Sequence, residues 1–290
     1  MMIAALDSSA DRTSPLTAIC VAGMHRSGTS MVARLLNRCG VYLGPDEELW
    51  RSAPDNKEGF WENPAFVDLN DHLLALVRGG WDLPPAKSEQ WAPRPELAAA
   101  LIKAREVIDR LASNPRWGWK DPRNSLTLPF WLQLIPKLKV IVCLRNPLEV
   151  ARSLTRRNGT SVAFGLNLWR SYNQRVCAFA PKQDRLVTHY EAYFADPRAE
   201  LRRMLEFLSI PSSEAEIAQA CLTVTSDLRN HTIPDEILAA QVAPHIIELY
   251  LELCAEAGPV FQASRAAPAR FREDVPAPAA LPEPAPNTAE

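Results

Sequence analysis

The sequence predicts an α/β fold: a parallel sheet with helices packed on both faces, a three-layer sandwich. Three observations lead there. Two short apolar runs, "TAICVAG" at 17–23 and "KVIVCL" at 139–144, lack alternation and read as strands buried on both sides. Segments of helical period fall between such runs. The chain has 290 residues, 47% of them hydrophobic, enough for one sizeable core.

The elements follow in order. After Gly23, the residues Val32, Leu35, Leu36 and Cys39 recur at helical spacing, and Gly40 suits the C-cap. Asn63-Pro64 joins an N-cap to a proline at the first helical position and opens a helix to about Arg78. Leu97, Leu101, Ala104, Ile108 and Leu111 step 4, 3, 4, 3 along one face of a long helix. "WGWK" at 117–120 reads as a short strand, and 139–144 is the strongest strand. Pro147 starts a helix carrying Val150 and Leu154. "RLVTHY" at 185–190 is a further strand, and Asp196-Pro197 opens a helix that buries Leu201, Met204, Leu205 and Leu208. Ile237 to Leu253 forms the last helix. One domain thus spans 16–257, between a flexible tail at 1–15 and a Pro/Ala-rich disordered tail at 258–290.

Composition narrows the function. The net charge of −2 lacks the basic excess of a nucleic-acid-binding domain. No apolar run approaches the roughly 20 residues of a membrane span. The beginning of the sequence shows no basic-then-apolar signal pattern. The six cysteines, Cys20, Cys39, Cys143, Cys177, Cys221 and Cys254, form no C-x-x-C pair. Buried, reduced thiols and a cytoplasmic location are the expectation.

The chemistry begins at "AGMHRSGTS", residues 22–30. From Gly23 it spells G-x-x-x-x-G and then Thr29-Ser30, so it is of P-loop type without the lysine. Arg26 stands inside the loop instead. A glycine-rich turn into a helix presents backbone N–H groups and a positive dipole end to an anion. Ser27, Thr29 and Ser30 add hydroxyls. A triphosphate travels with Mg²⁺ and calls for a carboxylate at the end of a second strand. Here "KVIVCL" ends in Arg145. The site suits an anion of lower charge at its reacting end, with no metal, and a phosphosulfate fits that description.

At this point the chain resembles the family of sulfotransferases that use 3′-phosphoadenosine-5′-phosphosulfate (PAPS). Four blocks carry the likeness, in order, over about 17–208. "GMHRSGTS" resembles the 5′-phosphosulfate loop. "WKDPR" at 119–123 resembles the K-D-P element of tyrosylprotein sulfotransferases. "LRNPLEVARSL" at 144–154 is similar to the 3′-phosphate signature, an arginine with a serine eight residues on. "VTHYEAYFADP…LRRMLEFLSI" resembles a Y-E-x-[LF]…P…FL segment.

The resemblance implies that Gly23, His25, Arg26, Ser27, Gly28, Thr29 and Ser30 line the 5′-phosphosulfate, and that Arg145 and Ser153 hold the 3′-phosphate. Arg157, one helical turn beyond Ser153, reaches the same phosphate. Tyr190 either touches the nucleotide or is a core tyrosine at a strand end. Arg229 falls where the family closes over its cofactor. Lys120 reaches the sulfonyl or bridging oxygens, and Arg26 shares that catalytic work. Asp121 orients Lys120 or Arg123. The aryl and steroid members use a histidine base, but none of His25, His72, His189, His231 and His245 follows a matching motif. Relatives with a glutamate base leave two candidates of equal weight, Glu62 in "GFWE" and the pair Glu47/Glu48 in "GPDEEL"; Glu58 is the weaker neighbour.

The implied reaction is sulfuryl transfer to an acceptor hydroxyl. Trp50, Trp61, Trp81 and Trp91 fall in the segment that would overhang the strand ends. They either pack an irregular region or offer flat faces to sugar rings. A small-molecule or glycan acceptor, on a carbohydrate or glycoconjugate, is therefore expected. An atypical P-loop kinase and a non-catalytic nucleotide-binding protein of the same fold are the alternatives.

Overall fold

The computed structural model of the chain describes residues 17–50, 59–86, 91, 95–225, 228 and 233–266. Strand β1 (Thr17–Gly23) is central and pairs in parallel with β2 (Arg116–Lys120) on one side and β3 (Lys139–Leu144) on the other. Strand β4 (Arg185–His189) extends the sheet beyond β3, giving the order β2-β1-β3-β4. All pairings are parallel, as the unbroken apolar runs require.

Both faces of the strands are buried. Ile19, Val21, Ile141 and Cys143 enter one apolar cluster, and Ala18, Cys20, Ala22, Val140, Val142 and Leu144 the other. Alternate residues of one strand therefore serve opposite cores, as the period of two dictates. On the first face pack α1 (Thr29–Arg38), α8 (Pro197–Phe207) and α9 (Glu214–Cys221). The other face takes α2 (Pro64–Leu76), α3 (Ala98–Leu111), α4 (Asn124–Leu134), α5 (Pro147–Asn158) and α6 (Val162–Phe179). Against β4 and its flank lie α7 (Ala192–Ala195), α10 (Asp235–Gln241), α11 (Pro244–Glu256) and α12 (Pro259–Ala266). No described helix is long and apolar enough to cross a membrane.

The helix starts obey local chemistry. Asn63, Asn146 and Asp196 each cap a helix whose first residue is proline. Gly40 takes φ 84° just beyond α1. All six cysteines are free, and burial pushes Cys39 and Cys177 up to about 11, which makes them inert thiols.

The structure differs from the sequence reading in three places. The expected helix from Ile237 to Leu253 is two helices, because Pro244 has no N–H to continue the first and holds Ala243 extended (φ −61°, ψ 141°). Ordered chain continues past 257: α12 inserts Phe261, which is 3% exposed and stacks on His189 with ring centres 3.7 Å apart. Helices α4, α6 and α9 occupy segments read as unassigned; α4 was hidden by Pro129 in its interior. The predicted tail at 1–15 and the remainder of the predicted C-terminal tail lie outside the described residues.

The chain leaves β1 towards β2 and leaves β3 towards β4. The carboxyl ends of β1 and β3 thus flank a topological switch point, where open parallel sheets form a ligand crevice.

Candidate functional site

The loop after β1 is built for close approach. Gly23 has φ 133°, and a Cβ there would lie 2.5 Å from the Cys143 carbonyl oxygen. Its N–H donates to Ser125 Oγ at 2.9 Å. A turn closes from Ser27 N–H to the Met24 carbonyl at 3.1 Å, with Arg26 in the left-handed region at φ 71°. Gly28, at φ 88°, is the N-cap of α1, and no side chain caps that helix. A Cβ on Gly28 would meet Tyr190 Cδ2 at 2.5 Å. Thr29 is buried, and Ser30 Oγ donates to the Phe60 carbonyl at 3.1 Å. The Ser27 hydroxyl is shielded from solvent and has no partner among the described residues. A buried orphan hydroxyl beside an uncapped helix start is an anion site in outline.

Arg145 and its neighbours lie against this loop. Its Nε donates to Glu149 Oε2 at 2.8 Å, one helical turn on, and its Nη1 donates to the Arg26 carbonyl at 3.3 Å. The guanidinium sits 4.2 Å from the centre of the Tyr190 ring. Arg26 Nε donates to Ser153 Oγ at 2.9 Å. Arg26, Arg145, Ser153 and Tyr190, four residues from three parts of the chain, thereby form one cluster. Arg157 sits 5.8 Å from the Phe60 ring centre. Tyr190 OH donates to the Leu228 carbonyl, and Ile233 N–H donates to Glu149 Oε1 at 3.1 Å. Arg229 itself lies outside the described residues, as does Glu58.

On the other side of β1 stands a buried ion pair. Lys120 ends β2 opposite Val21 and is 1% exposed. Its Nζ lies 2.7 Å from Glu62 Oε1. Glu62 precedes the Asn63 cap, in a segment tied down by Trp50 N–H donating to the Glu62 carbonyl at 2.9 Å. Trp61, at φ 58°, is a bulky residue in the left-handed region, a strained turn that directs the next residue. Burial raises the Glu62 carboxyl above the ordinary carboxylate range; Lys120 opposes this, and Asp121 adds to it. Glu47 and Glu48 are exposed on a turn at 46–48. The structure thus brings one of the two glutamate candidates to Lys120 and leaves the other on the surface.

Asp121 does not pair with Lys120. Its Oδ1 accepts from Arg123 N–H at 2.9 Å and Nη1 at 3.0 Å, and its Oδ2 accepts from Asn70 Nδ2 at 2.8 Å. Arg123 also lies 2.6 Å from Asp71. The two carboxylates hold the Arg123 guanidinium charged against its burial.

His25 leaves the loop towards Trp81 and Tyr172, with ring centres 5.2 and 5.8 Å away, both edge-on. It faces an aromatic wall as well as the loop. Of the tryptophans in the overhang, Trp91 is core, Trp50 pairs with Phe60, and Trp81 makes a ring contact with His25 of the glycine-rich loop.

The sequence reading missed Glu149 and Asp71. The i, i+4 spacing of Arg145 and Glu149 is a usable signal. Asp71 has none, because its partner lies on another element.

The arrangement offers a phosphate-type loop with an orphan hydroxyl, a second cation cluster, a buried lysine–carboxylate pair and an aromatic wall reached by His25. A family profile described as "Sulfotransferase family" matches residues 18–214. The chain is 26% identical over 233 residues to protein-tyrosine sulfotransferase A of Caenorhabditis elegans, covering 71% of this chain and 52% of that one. It therefore spans about half the length of that curated relative. Its fold is similar to the crystal structures of the sulfotransferases STF1 from Mycobacterium tuberculosis H37Rv and STF9 from Mycobacterium avium. The first has TM-score 0.51 and 14% identity, over 83% of this chain and 78% of that chain. The second has TM-score 0.50 and 16% identity, over 83% and 77%.

Proposed function

The chain belongs to the sulfotransferase family, and on that premise we propose that it transfers a sulfuryl group from PAPS to an acceptor hydroxyl. The observation that carries this reading is the buried Lys120–Glu62 pair at 2.7 Å, beside a loop whose Ser27 hydroxyl is buried without a partner.

The residues present fit such a donor. The loop from Gly23 to Ser30, with its uncapped helix start, suits the 5′-phosphosulfate. Arg145, Ser153 and Arg157 suit the 3′-phosphate, with Tyr190 beneath Arg145. Arg26, bonded to Ser153, joins the two groups. When bound, PAPS supplies an activated sulfuryl group on a phosphate leaving group.

The chain's own residues do the rest. Glu62 takes the acceptor proton, and general-base help of this kind is worth about 10²–10⁴ in rate. Its Oε1 is held by Lys120, so Oε2 is the oxygen that Lys120 leaves to the proton. Its raised pKa makes it a stronger base once ionised. Lys120 and Arg26 offer N–H donors to charge that builds on the sulfonyl and leaving oxygens. Glu47 and Glu48 are then surface carboxylates.

The acceptor we propose is a carbohydrate or glycoconjugate hydroxyl. Half-buried Trp81 contacts His25, and the exposed Asp82 follows it in the chain. A second reading, a tyrosyl phenol, is favoured by the name of the relative from Caenorhabditis elegans.

The test is transfer from radiolabelled PAPS to a glycan panel and to tyrosine-containing peptides, with and without Mg²⁺. Metal-independent labelling of a glycan is expected. Labelled peptides alone would move the assignment to the phenol. Turnover of ATP·Mg²⁺ instead would favour a kinase, and PAP binding with no transfer would favour a non-catalytic protein.

A further inference from the structure

We propose that His25 holds the acceptor hydroxyl, a specificity-determining and positioning role that rests on the sulfotransferase reading above. Four observations carry it.

His25 belongs to the donor loop by backbone and to the opposite wall by side chain. Its ring makes T-shaped contacts with Trp81, from the turn after α2, and with Tyr172, from α6. Tyr172 OH donates to the Trp81 carbonyl at 2.6 Å, so those two residues form one braced surface. The histidine is the point where the loop that holds the donor touches that surface.

Its Nε2 is shut off from solvent and has no hydrogen-bond partner among the described residues. A buried polar atom left unpaired costs roughly 1–3 kcal/mol, so such an atom is normally matched in the working state. Nothing in its aromatic wall bonds it.

The charges around it select what the partner can be. Burial, then Arg123, Lys120, Arg157 and Arg26, push the imidazole well below the ordinary histidine range. The ring is neutral, and a cationic partner would face four cations. A neutral imidazole nitrogen either donates or accepts according to tautomer. A hydroxyl matches both cases, because it donates and accepts with one oxygen.

Finally, two of the four cations around the ring are Lys120 and Arg26, the same residues assigned to the reacting centre. His25 also directly precedes Arg26 in the loop, so an acceptor oxygen bonded to it lies one residue along the chain from a group assigned to the reacting centre.

The experiment compares the full-length wild type with His25→Ala, His25→Phe and His25→Gln. Three quantities are measured: PAP affinity by calorimetry, acceptor KM and kcat with methyl glycosides and p-nitrophenol as hydroxyl probes, and thermal stability. His25→Phe keeps the ring contacts and removes the nitrogen. The expected result is acceptor kcat/KM lowered about tenfold or more in the Ala and Phe variants, the scale of one hydrogen bond. KM should carry most of that loss, with partial recovery in His25→Gln and PAP affinity changed less than acceptor kcat/KM. Wild-type kcat/KM in His25→Phe overturns the proposal, and so does a loss that tracks PAP affinity alone. A wild-type protein that binds no PAP, or sulfates no hydroxyl probe, overturns the sulfotransferase reading and this one with it.

Discussion

The Lys120 ammonium lies 2.7 Å from the Glu62 carboxylate, and both side chains are buried. Removing one partner of such a pair leaves an uncompensated charge in the interior. Lys120→Met should lower unfolding free energy by about 3–5 kcal/mol, and adding Glu62→Gln should restore a large part of it. Urea denaturation of the two single variants and the double variant checks this. Strictly additive losses would mean the pair is not coupled. Assayed below its melting temperature, Lys120→Met should also lose turnover on the order of 10²–10³.

With Glu62 as the proposed base, this residue should set the acid side of the pH–rate profile. Its pKa is raised in the fold, first by burial. The base works when deprotonated, so kcat/KM should climb as pH rises through a value above the ordinary carboxylate range, and fall below it. Glu62→Gln should remove that limb and about 10²–10⁴ of rate. A profile with the limb intact in that variant would exclude Glu62 as the base.

Arg145 is tied to Glu149 and stacked on Tyr190. Arg145→Ala alone would leave Glu149 buried and unmatched, so the informative protein also carries Glu149→Gln. In that background the loss of Arg145 should weaken PAP binding by about 1.5–3 kcal/mol, the range for a charged hydrogen bond. Arg145→Lys should not restore it, since an ammonium lacks the planar fork that lies on a ring. Unchanged affinity by calorimetry would remove Arg145 from the site.

Gly28 combines φ 88° with a Cβ position 2.5 Å from Tyr190. Gly28→Ala should therefore lower stability by roughly 1 kcal/mol or more and reduce PAP affinity. Adding Tyr190→Ala relieves the contact but not the backbone, so recovery should be partial. Full recovery would show that sterics alone fix this glycine.

Phe261 stacks on His189, whose Nδ1 accepts from Glu191 N–H at 3.1 Å and whose Nε2 meets Tyr250 OH at 3.0 Å. Phe261→Ala should cost about 3–5 kcal/mol, as for a buried aromatic. A chain ending at 257 should be destabilised comparably. Burial, with Arg145 next, also holds the His189 imidazole well below the ordinary range. The stability it lends is present above the usual histidine value of about 6.5 and is lost as pH falls below it. Melts of the wild type from pH 8 to 5 should show that decline, and His189→Gln should lessen it, with the part due to the similarly depressed His25 remaining.

Much of the scaffold was legible in the residues themselves. The runs at 17–23 and 139–144 have no alternation, which only a strand covered on both faces tolerates. Asn63-Pro64, Asn146-Pro147 and Asp196-Pro197 mark helix starts because capping and fixed φ are local properties. The glycines at 23 and 28 advertised a loop with positive φ. Pro244 carried the break in the last long helix just as plainly, and α12 lay in a segment whose Pro/Ala composition masked it.

By itself the sequence determined the strands, the helix starts and the loop, since each depends on neighbours a few residues away. Only the tertiary structure brought Glu62 to Lys120 and left Glu47 and Glu48 on the surface. Lys120 and Glu62 are 58 residues apart and meet because β2 returns beside β1 while α2 covers the same strand ends. Whether a carboxylate is a base or a solvated charge depends on what buries it and which cation faces it. Those are properties of packing between distant segments, and no local pattern encodes them.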